Sequence, residues 1–193
     1  MKKKVIFLLF VCLIIQKQYT QQRENIPILE EQFKVTYNIL GIEAAYEFPL
    51  SSKFTLDLGL GIGAGYYVNR VGRNTNEFGS SLSFDDFPPL RLKSKLKYIY
   101  NREKRFQKNK NLDNNSGNYF ALQFLFSNSQ NVTNIGNPPN DVLLTEFTWG
   151  FQRSLGGKWL IDINLGLGFA QDFDSRLTHF YPGGGLSFTY ILN

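Results

Sequence analysis

Phe54-Thr55-Leu56-Asp57-Leu58-Gly59-Leu60-Gly61-Ile62-Gly63-Ala64-Gly65-Tyr66 alternates without a break. One face carries Phe54, Leu56, Leu58, Leu60, Ile62, Ala64 and Tyr66. The other carries Thr55, Asp57 and four glycines. A period of two is the signature of a strand with unlike faces. Soluble strands usually run about five or six residues, whereas about nine to eleven tilted residues cross a bilayer. The pattern returns at Trp159, Ile161, Ile163, Leu165, Leu167 and Phe169, set against Asp162, Asn164, Gly166, Gly168 and Ala170. A bulky face opposed to a polar, glycine-rich one fits an all-β protein: an antiparallel up-and-down transmembrane barrel with lipid outside.

The rest of the chain agrees with export. Met1-Lys2-Lys3-Lys4 precedes an apolar run from Val5 to Ile15, the length of a signal-peptide core and too short for a membrane helix. Residues 1–20 are therefore read as a cleaved signal, 21–32 as a polar N-terminal segment and 33–193 as the barrel. The only cysteine, Cys12, leaves with the signal, so the mature chain has no disulfide or thiol chemistry. The net charge of +5 is misleading, because Lys2, Lys3, Lys4 and Lys17 lie before Thr20, where no acid occurs. What remains is 17 bases against 16 acids, which removes the main support for nucleic-acid binding.

Short and long connections alternate along the strands. The apolar parity switches near Asn38 between Phe33 and Phe48, which predicts a hairpin or a bulge there. Pro49–Lys53 and Ser154–Lys158 are short turns. Val68–Pro89, Ser127–Asn140 (with Pro138-Pro139) and Gln171–Pro182 read as long exposed loops, and no segment has a convincing helical period. Seven strands are plain. Single-chain bacterial barrels have an even number, so eight are expected, the eighth at the N-terminus. With the C-terminus in the periplasm, the short turns lie inside and the long loops face outward.

This parity fills the lumen with charge. Arg91, Lys93, Lys95 and Lys97 occupy alternate positions of one strand, and Glu43, Glu47, Asp57, Glu146 and Asp162 share the inner face of others, with Gln123 and Asn164. An eight-stranded barrel is just wide enough for its own side chains, so these charges must pair: the expectation is a salt-bridged plug. The inner glycines are expected to leave room for the Arg and Lys side chains. Phe54, Tyr66, Tyr98, Tyr100, Trp149, Trp159, Phe169 and Tyr190 are assigned to the lipid-facing aromatic belt.

Leu90 through Tyr98-Ile99-Tyr100-Asn101, then Lys104-Arg105, Lys108-Asn109-Lys110 and Asn114-Asn115-Ser116-Gly117-Asn118, resembles a recurrent core of small outer-membrane β-barrel proteins of Bacteroidota. Gly150-Phe151-Gln152-Arg153-Ser154-Leu155-Gly156, followed by the Asp162–Gly168 strand, is similar to them too. The resemblance covers Leu40 to the C-terminus and carries no catalytic residues over. The chain departs from the usual assembly signal by ending Tyr190-Ile191-Leu192-Asn193 without a terminal Phe. It implies the outer membrane as the location, the bilayer and the barrel-assembly machinery as partners, and a monomer.

Candidate chemistry is thin. The single His179 lies near Asp172, Asp174, Ser175 and Arg176, a set from which a nucleophile and base could be built. Ser and Asp are ordinary loop residues, however, and Asp85-Asp86 add little, so no catalytic residue, metal ligand or cofactor is assigned. The Asn-x-Ser/Thr matches at Asn114 and Asn131 are ordinary in Asn-rich loops. Arg102, Lys104, Arg105, Lys108 and Lys110, with Phe106, form either a solvated turn or a patch for anionic headgroups. Three functions follow from the residues: a closed barrel with a structural or surface-binding role through its outer loops, a narrow porin-like channel or transporter, or a rim enzyme acting on outer-membrane lipid. A soluble lipocalin-like barrel is the competing fold.

Overall fold

A computed structural model describes residues 26–70, 78–83, 88–129, 140–174 and 176–193. The signal sequence with Cys12, residues 21–25, Asp85-Asp86, Asn131, Pro138-Pro139 and Ser175 lie outside the described residues.

The chain is a closed antiparallel barrel of eight strands with a separate two-stranded hairpin. The barrel strands are β1 (Gln32–Asn38), β2 (Gly41–Pro49), β3 (Phe54–Gly63), β6 (Leu90–Ile99), β7 (Gly117–Ser129), β8 (Asn140–Gly156), β9 (Trp159–Asp172) and β10 (Thr178–Ile191). Each pairs with its neighbour in the wall, and β1 closes the circle on β10. The parity switch near Asn38 is a tight hairpin, with Asn38 opposite Gly41. Gly156 and Gly157, both at positive φ, turn the chain from β8 into β9, a conformation glycine adopts without steric cost.

Burial follows the period of two. Along β1, Gln32, Lys34 and Thr36 are buried while Phe33, Val35 and Tyr37 are exposed; along β3, Thr55 and Asp57 are buried while Leu58, Leu60 and Ile62 are exposed. The polarity is thus inverted relative to a soluble barrel. Lys97 is 2% exposed and Glu47 0%, whereas Leu167 is 73% and Phe180 76% exposed.

Four segments differ from the sequence expectation. The wall strand at Phe54 ends at Gly63, not Tyr66. The chain then turns inward into β4 (Gly65–Arg70), which pairs with β5 (Phe78–Ser83) inside what reads as a loop. Tyr66 is consequently not on the outer belt. It is buried with Leu125, Val142, Leu144 and Ala170, and its ring lies 5.2 Å from that of Tyr181. The basic linker contains one short helix, α1 (Arg102–Gln107), and a single 3-10 turn (Asp113–Asn115), too brief for a helical period to show. Finally, β10 starts at Thr178, inside the expected third loop. It tolerates Pro182 because even-numbered residues of β10 aim their N–H groups at the β1 side, as Leu192 does in donating to Phe33 O, whereas Ile191 donates to Lys158 O on the β9 side. At Pro182 the β1 side has no strand to serve, so no ladder bond is lost.

Candidate functional site

The barrel interior is layered. Its middle is an ionic network built by the inner face of five strands. Lys34 of β1 pairs with Glu47 and lies 2.6 Å from Asp57; Lys97 donates to Glu47 at 2.8 Å and to Gln152 Oε1 at 2.9 Å. Lys93 pairs with Glu43 and stands 4.0 Å from Asp57. A second cluster centres on Tyr119, which is fully buried. Lys95 donates to the Tyr119 hydroxyl at 3.0 Å, and that hydroxyl donates to Asp162 at 2.7 Å, which also accepts from Asn164 at 3.0 Å. Lys95 is itself 3.7 Å from Asp162, and its ammonium sits over the Tyr119 ring. Nearer the loop end, Glu146 accepts from Gln123 and from the Tyr181 hydroxyl, each at 2.8 Å.

Sequence reasoning therefore places Lys93, Lys95, Lys97, Glu43, Glu47, Asp57 and Asp162 where the structure joins them. Arg91 points the same way but uses one donor on the Leu40 carbonyl at 3.1 Å. The sequence reading missed Lys34, a fifth base on the inner face. It also missed Tyr119, Gln152 and Tyr181, whose polar tips complete the network. Lys34 could have been found: it shares parity with Gln32 and Thr36 on a strand whose other face is Phe33, Val35 and Tyr37.

The glycines serve this packing, though mostly not the bases. A Cβ at Gly59 would fall 2.6 Å from the Glu43 carboxyl carbon, one at Gly168 only 2.3 Å from the Tyr181 ring, and one at Gly150 2.7 Å from Tyr119. Among the described glycines, Gly63 comes nearest a base: a Cβ there would fall 2.8 Å from Arg91 Nη1. The carboxylates and tyrosines are the large occupants.

Among the described residues, apolar side chains pack into both ends of the barrel. At the loop end the β4–β5 hairpin lays Tyr66 onto the inner faces of β7, β8 and β9. At the turn end Leu29 packs with Ile99, Tyr119 and Ala121. Asn115, at φ 58, fastens the N-terminal segment: its Nδ2 donates to Glu30 O at 2.8 Å, and its Oδ1 accepts from Glu30 N at 2.9 Å. Asn tolerates the left-handed region better than most residues. Arg102 is not on a solvated turn. It is buried, donates to Pro27 O at 2.7 Å and Leu112 O at 3.3 Å, and burial pushes its guanidinium pKa down while Glu30 opposes the shift.

Outside, aromatic side chains ring the turn end. Phe54 and Tyr98 are 4.9 Å apart, Tyr100 and Phe120 5.5 Å, and Trp159 and Tyr190 4.9 Å. Trp149 Nε1 donates to the Tyr100 hydroxyl at 2.9 Å. Phe169, the belt residue nearer the loop end, lies 5.0 Å from Phe180.

His179 lies on β10 opposite Ala170, and among the described residues no hydrogen bond joins it to Asp172 or Asp174. Asp174 Oδ2 accepts from the backbone of Asp141, and Asp172 Oδ1 from that of Asp174, both at 2.9 Å. These bonds tie the β9–β10 connection to the start of β8, and Ser175 lies outside the described residues. Compared with known proteins, the chain matches no family profile, no curated protein and no solved structure.

Proposed function

We propose that this chain is a small integral outer-membrane barrel, closed to ion flow, with a structural or surface-binding role exercised through its loop end. The observation that carries the reading is the inverted polarity. Soluble monomers rarely leave apolar patches beyond a few hundred Å2 open to water. Here Leu58, Leu60, Ile62, Leu92, Leu122, Phe147, Leu165 and Leu167 stay exposed around the wall while lysines and carboxylates are buried within it. Lipid is the solvent that makes both faces favourable, since a Lys on the outer face would cost about 2–4 kcal/mol at the bilayer midplane. The aromatic ring, with indole and phenol tips, suits the membrane–water interface. The basic start and apolar core of the leader support export, and the motifs that resemble small barrels of Bacteroidota support the same location.

Closure disfavours the channel. The ionic layer and Tyr119 fill the middle, and Leu29 and Tyr66 stopper the two ends. Heat-modifiable gel mobility together with sedimentation in the outer-membrane fraction tests the reading. A protein that fractionates as soluble, with no mobility shift on boiling, overturns it.

A further inference from the structure

The outward parity of β8 carries Phe147, Trp149, Phe151 and Arg153 in that order toward the turn end, so a base closes a column of aromatic side chains. Its guanidinium lies over the Phe151 ring at 5.1 Å. Nη1 donates to the carbonyls of Gly117 and Gln152, both at 2.8 Å, and Nη2 donates to Asn118 Oδ1. Asn118 Nδ2 donates in turn to the Tyr100 hydroxyl at 3.4 Å, where the Trp149 indole also donates. A polar rim of Arg153 and Asn118 thus stands beside an aromatic step of Tyr100, Phe120 and Trp149. One register pair farther along the wall come Leu122 and Phe147. The headgroup, glycerol and acyl chains of a phospholipid need these three levels in this order.

A second guanidinium reaches this rim from the linker. Arg105, on α1, stands close enough to Arg153 for the two to repel, and it acts on Arg102 in the same way. Arg102 is committed to the carbonyls of Pro27 and Leu112, but the other two are not used up. Arg105 spends one donor on Asn111 O at 2.6 Å, and its Nε, shielded from solvent, has no partner among the described residues. Arg153 makes three bonds from the five N–H groups of a guanidinium. Among the described residues no carboxylate forms an ion pair with either. The linker around them is basic: residues 102–118 hold Arg102, Lys104, Arg105, Lys108 and Lys110 against Glu103 and Asp113. Two like charges held together without a counter-charge repel, and an anion set between them turns that repulsion into attraction.

We propose that Arg105 and Arg153 form a headgroup site for an anionic diacyl phospholipid of the turn-end leaflet, its phosphate bridging the two guanidinium groups and its acyl chains lying along Trp149, Phe120 and Phe147. Arginine suits this role because its planar fork donates to phosphate oxygens in pairs. The excess of bases selects against zwitterionic lipids, whose ammonium group would meet like charge on the linker. The site rests on the membrane reading above.

The test uses the mature chain folded into phosphatidylcholine vesicles that contain phosphatidylglycerol, with Trp159→Phe so that Trp149 reports alone. Bromine is carried on the acyl chains of one lipid or of the other. Per mole, brominated phosphatidylglycerol is expected to quench Trp149 at least about fivefold more effectively, the preference that a base near the surface confers. Arg105→Gln and Arg153→Gln are each expected to lower that preference and the double variant to abolish it, while Lys104→Gln, Lys108→Gln and Lys110→Gln together keep most of it. Equal quenching by the two lipids overturns the site, and that comparison needs no arginine variant to fold. A preference that follows the three lysines and ignores the arginines also overturns it, as a diffuse field. Inorganic phosphate is expected to leave the preference where sodium chloride of equal ionic strength leaves it; a further loss in phosphate would mean a free-anion site and overturns the lipid. The two readings fail separately. If both lipids quench equally, the headgroup site alone fails; if neither quenches, the membrane reading fails with it.

Discussion

Glu47 holds the interior together at its most buried point. It is fully buried, pairs with Lys34 and Lys97 at once, and stands 3.4 Å from the Asn115 amide. Glu47→Gln keeps the shape and removes the charge. Lys34 retains Asp57 at 2.6 Å, but Lys97 is left with the neutral Gln152 as its hydrogen-bond acceptor. Removing one partner of a buried pair costs about 3–5 kcal/mol, and the surviving Lys34–Asp57 pair puts the expected loss at the low end, about 3 kcal/mol. At about 2–4 °C per kcal/mol for a chain of this size, the melting midpoint falls by about 6–12 °C. The folded, fast-migrating gel band of the detergent-solubilised protein, followed against temperature, reads that shift. Adding Lys97→Met to Glu47→Gln should return at least half the loss, because the orphaned charge is gone. A Glu47→Gln midpoint within about 2 °C of wild type would refute the reasoning, since it would mean that water reaches Lys97 and the interior is a wet pore.

Three further outcomes follow from the packing. Gly168→Ala drives a methyl into the Tyr181 ring and should cost about 1–3 kcal/mol by overpacking; thermal melts should show Tyr181→Ala relieving the strain in the double variant. Asn115→Ala removes both hydrogen bonds to the Glu30 backbone, and hydrogen exchange should show faster exchange at the Glu30 amide with the barrel strands unchanged. Asn115→Gly should do the same despite relieving the backbone, because the amide is what fastens the segment. In planar bilayers the wild type should give no steady conductance, and single-channel steps at neutral pH would remove the closed-barrel reading.

The period of two made the barrel legible because long strands with unlike faces admit few packings, and it placed most of the interior charges from residue type alone. Three features escaped it for physical reasons. Alternation runs unbroken through Gly63-Ala64-Gly65-Tyr66, so nothing local marks where the chain leaves the wall; the same parity that is outside at Ile62 is inside at Tyr66 once the strand bends in. Pro182 and the glycines after it look like a loop, and only the missing neighbour on the β1 side makes a strand there permissible. Arg102 looks like one of five surface bases, yet its partners are backbone carbonyls at Pro27 and Leu112, contacts that no charge pattern encodes. Lys34 was within reach of the pattern but sits beside the parity switch at Asn38, where the faces are hardest to follow.

The outward face of β3 is where the whole reading can be met most directly. Spin labels placed one at a time from Thr55 to Ile62 in the vesicle-embedded chain, probed with lipid-soluble oxygen and a water-soluble nickel chelate, report the solvent at each position. The predicted result is oxygen accessibility peaking at Leu56, Leu58, Leu60 and Ile62 with the chelate excluded there, and neither reagent reaching Asp57. Chelate access at Leu58 and Leu60 would put water against the bulky face and contradict the claim that this barrel is turned outward to lipid.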